Sequence, residues 1–514
     1  MVTPPDPRAP CIIGAARRTW HAADVGEAGA PEPLDMWETV ARAAADDSGV
    51  GAKALEALDS VQIVYCQTVQ YDDATARLCE RIGASPGHTF YSGIGGTTPQ
   101  VLVNNAAEAM LRGEMDVALV TGAEALATQK AFKKRGERYA YTHPPEDKRP
   151  YPWEWPPQPV EIAHQVMQAW LTFSVFDNAR RAHLGTGLAD YRHSIGEMMA
   201  PMTRVAAANP DAWYPVERSI DDIVDARPDN RMVGYPYTKY MVAVMDVDMA
   251  AALLLTTHAK ADELGVPADQ RVYLRGWCYA NDPVLVAEHD EMWHSPAMAA
   301  ASGEAMRVAG IGVDDIEYFD LYSCFASSLH FACDALGIDP LDKRGLTVTG
   351  GLPYHGGPAS DYLSHSISTM VDRLRAQPGS YGMVSGVGMN LTKHVYGVYS
   401  TAPGPVAPPK RAEVQASVER AHPAHPVVPE YAGDATVAAY SIVHGRDGGP
   451  EWGVLVCDVD GGTNGGTRAY ARVTDPDLLS SAEERELVGA TVHCMTMTTD
   501  LPAGGEGRVN LASV

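Results

Sequence analysis

Gly95–Leu111, GGTTPQVLVNNAAEAML, and Gly356–Val371, GGPASDYLSHSISTMV, decide how this chain is read. Each opens on paired glycines, passes through proline and small hydroxyl residues, and continues with apolar residues at helical spacing. In the first, Thr97 and Thr98 before Pro99 mark a helix start, a hydroxyl N-cap and then proline as the first helical residue, and Gly113 marks its stop. Upstream of the two lie Val50–Cys66 (VGAKALEALDSVQIVYC) and Ala309–Cys324 (AGIGVDDIEYFDLYSC), each a helix end, an acidic turn and a β-rich run closing on cysteine. Downstream of each comes a glycine-punctuated apolar strand, VALVTGAEA from Val117 and YGMVSGVGM from Tyr381. One unit written twice implies two similar halves with a site between them.

Around this repeat the 514 residues leave room for about three domains at roughly 150 residues each. A net charge of −25 argues against a nucleic-acid surface, which needs a basic face, and against anionic membranes. Eight cysteines without a CxxC pair write neither a disulfide framework nor a metal site, so a reducing, cytoplasmic location is expected. The start, MVTPPDPRAPCIIGAAR, has no apolar core of the kind a signal peptide carries, and the longest apolar run, Met249–Leu255, is too short to span a bilayer.

Cys11–Ala16 reads as a strand and Leu34–Asp46 as an amphipathic helix. From about Ala127 to Tyr240 the alternation dissolves into a segment rich in Pro, Trp and Tyr (PYPWEWPPQP, Pro150–Pro159), which reads as an inserted loop domain of the sort that carries specificity. Val242–Thr257 restores a buried strand or helix. After a proline linker, Thr401–Pro405 and Pro408–Arg411, the texture changes to short runs broken by Gly/Asp turns (ATVAAYSIVHGRDGG, WGVLVCDVDGG, TRAYARVTD, ATVHCMTM, GRVNLAS), the pattern of a small β-barrel.

The duplicated halves, the insertion and three glycine-bearing segments resemble the thiolase superfamily across about 1–403. DLYSCFASS (Asp320–Ser328) is similar to the superfamily's Asn-Glu-Ala-Phe or His-Asp-Cys-Phe segment, GGLPYHGGP (Gly350–Pro358) to its Gly-His-Pro loop, and SGVGM (Ser385–Met389) to its Cys-x-Gly segment. Within the superfamily the pattern resembles the sterol-carrier-type thiolase-like proteins of type 1, which carry a fused C-terminal barrel. The resemblance implies an α/β fold with a duplicated αβαβα core and an OB-like β-barrel. It divides the chain into 1–126 with 242–268 (first half), 127–241 (loop domain), 269–403 (second half) and 409–514 (barrel).

The superfamily's reactive groups are missing from their places. Its nucleophilic cysteine falls on Gly96, its activating histidine on Gly357, its C-terminal cysteine on Val384 or Ser385, and the Asn or His of the third motif on Tyr322. A thiol at a helix N-terminus is activated by free N–H groups and the helix dipole, and glycine offers nothing to activate. Ordinary thiolysis is therefore not expected. A non-thiol branch, the steroid side-chain aldolases, is similar around two tyrosines that fall on Tyr322 and Tyr362, with Ser323 replacing an Asp. By that resemblance Tyr322, Tyr362 and His355 are the catalytic candidates for an aldol or Claisen-type cleavage of an acyl-CoA, with phenols as base or donor. His394 and Cys324 read as structural.

In thiolases the loop domain holds the nucleotide end of coenzyme A, and here it carries a basic island, KAFKKRGERYAY from Lys130, in an acidic chain. Lys130, Lys133, Lys134 and Arg135 are the candidates for its phosphates, against the plainer reading of a solvated helix face. Residues 451–475 carry few cations, so the barrel is expected to dock on the core rather than bind nucleic acid. Two readings stand: a lipid-metabolic acyl-CoA enzyme working without a covalent thiol or a metal, and a silent acyl-CoA-binding or scaffold protein. A monomer is favoured over a pairing through His88–Ser92.

Overall fold

The computed structural model describes residues 5–459, 466–500 and 504–513. Met1–Pro4, at the start of the segment read above as no signal peptide, and the glycine turn within Asp460–Gly465 lie outside the described residues.

The first repeated unit supplies β1 (Pro10–Thr19), β2 (Ser60–Ile63), β3 (His88–Tyr91) and β4 (Val117–Ala125). A short hairpin follows, β5 (Met232–Gly234) and β6 (Tyr237–Thr238), and then β7 (Asp248–Thr257), which makes a strand of the latter part of Val242–Thr257, while residues 242–247 run without regular structure. The second unit supplies β8 (Val272–Asn281), β9 (Ile316–Asp320), β10 (Tyr381–Gly388) and β11 (Lys393–Ser400). The chain closes with β12 (Gly433–His444), β13 (Pro450–Asp458), β14 (Arg468–Val473), β15 (Thr491–Asp500) and β16 (Glu506–Ser513).

The duplication is visible in the larger sheet, ordered β3-β2-β4-β7-β1-β8-β11-β10-β9. β2-β4-β7-β1 is mirrored by β9-β10-β11-β8, with a parallel first pair and antiparallel pairs after it in both. The copies join where Cys11 and Ile12 pair with Tyr273 and Val272.

Helix Thr98–Arg112 and helix Tyr362–Ala376 pack on each other and on strands of both copies. Their apolar faces (Leu102, Val103, Met110, Ile367, Met370) form one fully buried layer with Leu253 and Val384, each such side chain contributing about 1.5–3 kcal/mol. On the outer faces, helix Pro33–Asp47 crosses β1 at Gly14 and helix Pro296–Ala309 crosses β8 at Gly276. A Cβ on Gly14 would overlap the Ala44 carbonyl, and one on Gly276 that of Ala305. The same device sits at the same place in each copy.

Helix Thr98–Arg112 stops at Gly113, φ 74°, as its sequence indicates. Its start differs from expectation. Thr98 is already helical, which puts Pro99 at the second position, and Thr97 before it has an α-region backbone and a hydroxyl that caps nothing; Thr98 N–H is held by the Gly95 carbonyl at 3.1 Å.

The C-terminal strands β12-β13-β14-β16-β15 close back on β12 as a five-stranded barrel around Val437, Leu455, Ala471 and Val492. The hairpin β5–β6 extends this second sheet through Gly234 and Val443. Beneath it, Asn178 on helix Ala169–His183 donates to the Tyr440 and Tyr235 carbonyls at 2.9 and 3.0 Å, and the Ser174 hydroxyl donates to Ser441 at 2.7 Å. Barrel and insertion are thus joined by buried polar bonds. No helix among the described residues is long and apolar enough to cross a membrane.

Candidate functional site

The glycine loops that open the repeated helices face each other. Gly95 N–H donates to the Ser360 hydroxyl at 3.0 Å, which ties the first copy to the second. Beside this bond lies a cavity of about 280 Å³, floored by Gly95, Gly96, Ala359 and Ser360 and walled by Met167, Met245 and Met389. Ala359 and Met389 take positive φ, 44° and 56°. Non-glycine residues held there cost on the order of 1–3 kcal/mol each, a strain that clusters at functional sites. The insertion roofs the cavity with Trp153, Pro156 and Pro157. Lys393 pins this strap by pairing with Glu154 while its ammonium lies 4.8 Å from the Trp155 ring centre.

Neither cysteine nor histidine lines this cavity among the described residues. A Cβ built on Gly96 would sit 2.6 Å from Tyr322 Cζ and closer still to the Tyr322 hydroxyl and the Val387 carbonyl oxygen. Tyr322, from the second copy, occupies the volume a side chain at 96 would need. The Val384 side chain is fully buried, and the Ser385 hydroxyl accepts from Tyr322 N–H at 3.0 Å. Cys324 is buried, and burial pushes its thiol up.

Tyr322, Tyr362 and His355 do come together. The tyrosine rings meet edge-on at 5.7 Å, and His355 packs on Tyr362 at 6.0 Å and on His365 at 5.5 Å. All three lie behind the floor of the cavity rather than among the residues lining it. The Tyr362 hydroxyl donates to Asp320 at 3.0 Å and meets Thr349 at 2.6 Å. Burial raises both phenols well above their ordinary range, so they stay protonated at neutral pH and can donate but not accept a proton. His355 is buried with Nδ1 accepting from Asn209, and burial lowers it to about 3. His394, read as structural, pairs with Asp282 at 2.9 Å in the interior.

One ionisable side chain does line the cavity, and no motif in the chain points to it. Glu161, on the short helix Pro159–His164, is 4% exposed. Its Oε1 accepts from Val286 N–H at 3.0 Å and from the Tyr470 hydroxyl at 2.9 Å, a residue of β14 in the barrel. Burial raises its carboxyl to about 7.

Met245 is shared with a second, larger groove of about 690 Å³. Lys130, Lys134, Arg218, Arg231 and Lys239 line it against a single acid, Asp246. Trp170, Trp213, Tyr214, Tyr240 and Tyr354 give it flat apolar faces. Lys130 pairs with Asp246, and the Arg218 guanidinium lies 3.9 Å over the Tyr240 ring. Of the other two basic candidates, Lys133 is exposed outside the groove, and Arg135 is engaged with Glu137 at 2.9 Å and the Phe132 ring at 4.4 Å.

No family model matches the chain. Over 146 residues it is 33% identical to the peroxisomal 3-ketoacyl-CoA thiolase B of Mus musculus, a stretch that covers 28% of this chain and 32% of the mouse protein. The matched segment thus spans about a third of the length of that relative. A crystal structure of a monomeric SCP2-thiolase like protein type 1 from Mycobacterium smegmatis is similar along nearly the whole chain, with a TM-score of 0.84 and 31% identity over 99% of this chain and 100% of that one. The dimeric peroxisomal thiolase of Saccharomyces cerevisiae shares the fold over 77% of this chain and 98% of its own, with a TM-score of 0.55 and 14% identity.

Proposed function

The chain belongs to the thiolase superfamily, among the SCP2-thiolase like proteins of type 1, and from that membership we propose that it binds an acyl-CoA thioester and handles it without a covalent thiol. The cationic, aromatic groove suits the nucleotide: lysines and arginines for the phosphates, ring faces for adenine. Met245 joins it to the methionine-walled cavity, which suits an acyl chain. Lys130 and Lys134 are the phosphate ligands of this reading; Lys133 and Arg135 take no direct part.

The observation that carries the absence of thiolysis is the overlap at position 96. Thiolytic cleavage needs a nucleophilic sulfur at the helix start and a base beside it. Tyr322 fills the place of the first, and no imidazole lines the cavity among the described residues. The chemistry left to such a pocket is polarisation of the thioester carbonyl and carbon–carbon cleavage of the aldol type. There the β-hydroxyl gives up its proton to water, the Cα–Cβ pair moves into an enolate as the carbonyl fragment departs, and Cα then takes a proton back from water. Tyr322, pressed against Gly96, is the phenol best placed to donate toward such an oxygen, while Asp320 and Thr349 orient Tyr362 and His355 backs it.

A second reading, a binding protein without turnover, is favoured by one observation: Tyr322, Tyr362 and His355 all lie behind the cavity lining. Calorimetry with coenzyme A, and incubation with acyl-CoA and 3-hydroxyacyl-CoA esters, separate the two. Turnover lost in Tyr322→Phe supports the lyase, and binding without turnover supports the silent protein. Acetyl-CoA formed from acetoacetyl-CoA and coenzyme A, or an iodoacetamide-labelled thiol in the cavity, would overturn the reading of position 96. The Mycobacterium smegmatis protein is described as monomeric, and we take this chain to be a monomer as well, which sedimentation tests.

A further inference from the structure

We infer that Glu161 is the proton-transfer residue of the cavity between the two copies, and that the C-terminal barrel holds it in place through Tyr470. The inference rests on the reading that an acyl thioester occupies this cavity, and it names the atom that does chemistry there. The chemical class is removal and return of a proton at the carbon next to the thioester carbonyl.

Four observations converge. Glu161 is the one ionisable side chain lining the cavity among the described residues. One of its oxygens is fixed and the other is not: Oε1 takes two donors, Val286 N–H and the Tyr470 hydroxyl, while Oε2 has no hydrogen-bond partner among the described residues. A carboxylate oriented through one oxygen presents the other to a ligand in a defined direction. The phenols behind the floor are locked in their protonated form, so none of them can act as the base. Finally, the cavity supplies donors for the oxygen on which charge develops. The Asn390 Oδ1 accepts from Thr172 at 3.1 Å and the Ser360 hydroxyl accepts from Gly95, and neither the Asn390 amide N–H group nor the Ser360 O–H has an acceptor among the described residues.

In the step proposed, Glu161 Oε2 takes a C2 proton from the bound thioester. The C–H electron pair moves into the C1–C2 bond, and the carbonyl π pair moves onto the thioester oxygen, facing Asn390 and Ser360. The neutral carboxylic acid then returns a proton to C2. No oxidant, reductant or second substrate is required.

The charged and titratable groups around Glu161 agree with a base poised near neutrality. Tyr470 donates to it from β14. Glu288, on the 3-10 turn Val286–Glu288, repels its charge. His164, one turn along its own helix, is held neutral by burial and accepts from Asn510 N–H at 3.0 Å. With burial the largest cause, the carboxyl sits at about 7.

The test uses butyryl-CoA and the full chain in D2O, with loss of the C2 protons followed by NMR and binding followed by calorimetry. The expected result is exchange that falls at least ~100-fold in Glu161→Gln while the Kd for butyryl-CoA changes by less than ~3-fold. Gln keeps an acceptor for Val286 and Tyr470, so the variant retains those bonds. Exchange in the unaltered protein should rise with pH around neutrality. Tyr470→Phe should move that midpoint upward, since one donor to the carboxylate is lost, whereas a merely structural loss would lower the rate without shifting the midpoint. Binding with equal exchange in Glu161→Gln, or a flat pH profile, would overturn the inference and leave the binding reading intact. No binding of butyryl-CoA or coenzyme A would instead remove the binding reading, and this inference with it.

Discussion

One added carbon at Gly96 would meet Tyr322 Cζ at 2.6 Å, with the hydroxyl and the Val387 carbonyl nearer still. Backbone at Val387 and a fully packed ring at Tyr322 leave little room to give, so Gly96→Ala should destabilise by about 1–3 kcal/mol in urea unfolding. Tyr322→Ala in that background should recover part of the loss, and a double-mutant cycle should return a coupling above ~0.5 kcal/mol; additive effects would mean that the two residues do not meet. His355 makes a separate prediction. Its folded value of about 3 lies below the 6.5 of an exposed imidazole, so between those pH values the unfolded chain holds a proton that the folded one refuses. A depressed folded value means stability that is full above about 6.5 and lost as pH falls toward 3. Against His355→Gln, the unaltered protein should therefore lose about 1.4 kcal/mol for each pH unit between pH 6 and 4. A constant difference would mean that the imidazole charges in place.

At the scale of elements, Gly14 and Gly276 carry the argument. Each lets an outer helix backbone touch its strand, and a Cβ on Gly276 would lie 2.8 Å from Ala309 N and nearer to the Ala305 carbonyl. Gly276→Ala should lower stability by about 1–3 kcal/mol because a helix must move rather than a side chain turn; a change under ~0.5 kcal/mol would mean that the contact is loose. Much of this layer is legible in the chain itself, since the repeated helices and the strands from Val117 and Tyr381 are local patterns with clear stops at residues such as Gly113. What is not legible is non-local or too short to have a period. Glu161 sits in a proline-rich stretch with no motif, and its partners Val286 and Tyr470 lie 125 and 309 residues away. The hairpin β5–β6 has strands of three and two residues, too brief for alternation to announce that it joins the barrel. Tyr322 was legible as a tyrosine in the third motif, but that it closes position 96 depends on how the two copies face each other.

The whole molecule is strongly anionic, −25 over 514 residues, yet five cations gather in one groove against a single acid. A ligand with several phosphate charges is repelled by most of this surface and attracted at that one place, so its affinity should depend on screening in a particular direction. Raising ionic strength from about 0.01 to about 1 M shortens the Debye length from ~30 to ~3 Å. If the groove holds the nucleotide, the short-range attraction and its field are both screened. Coenzyme A should then bind at least ~10-fold more weakly at the higher salt, a loss of about 1.4 kcal/mol. The uncharged thioester arm alone, offered as an S-acyl pantetheine, should change by less than ~2-fold, because the cavity proposed for it is walled by methionines. Replacing both Lys130 and Lys134 with alanine should flatten the salt dependence for coenzyme A and leave the pantetheine unaffected. Affinity for coenzyme A that is unchanged or improved by salt would place the phosphates against the acidic remainder of the surface, where screening relieves repulsion instead of removing attraction.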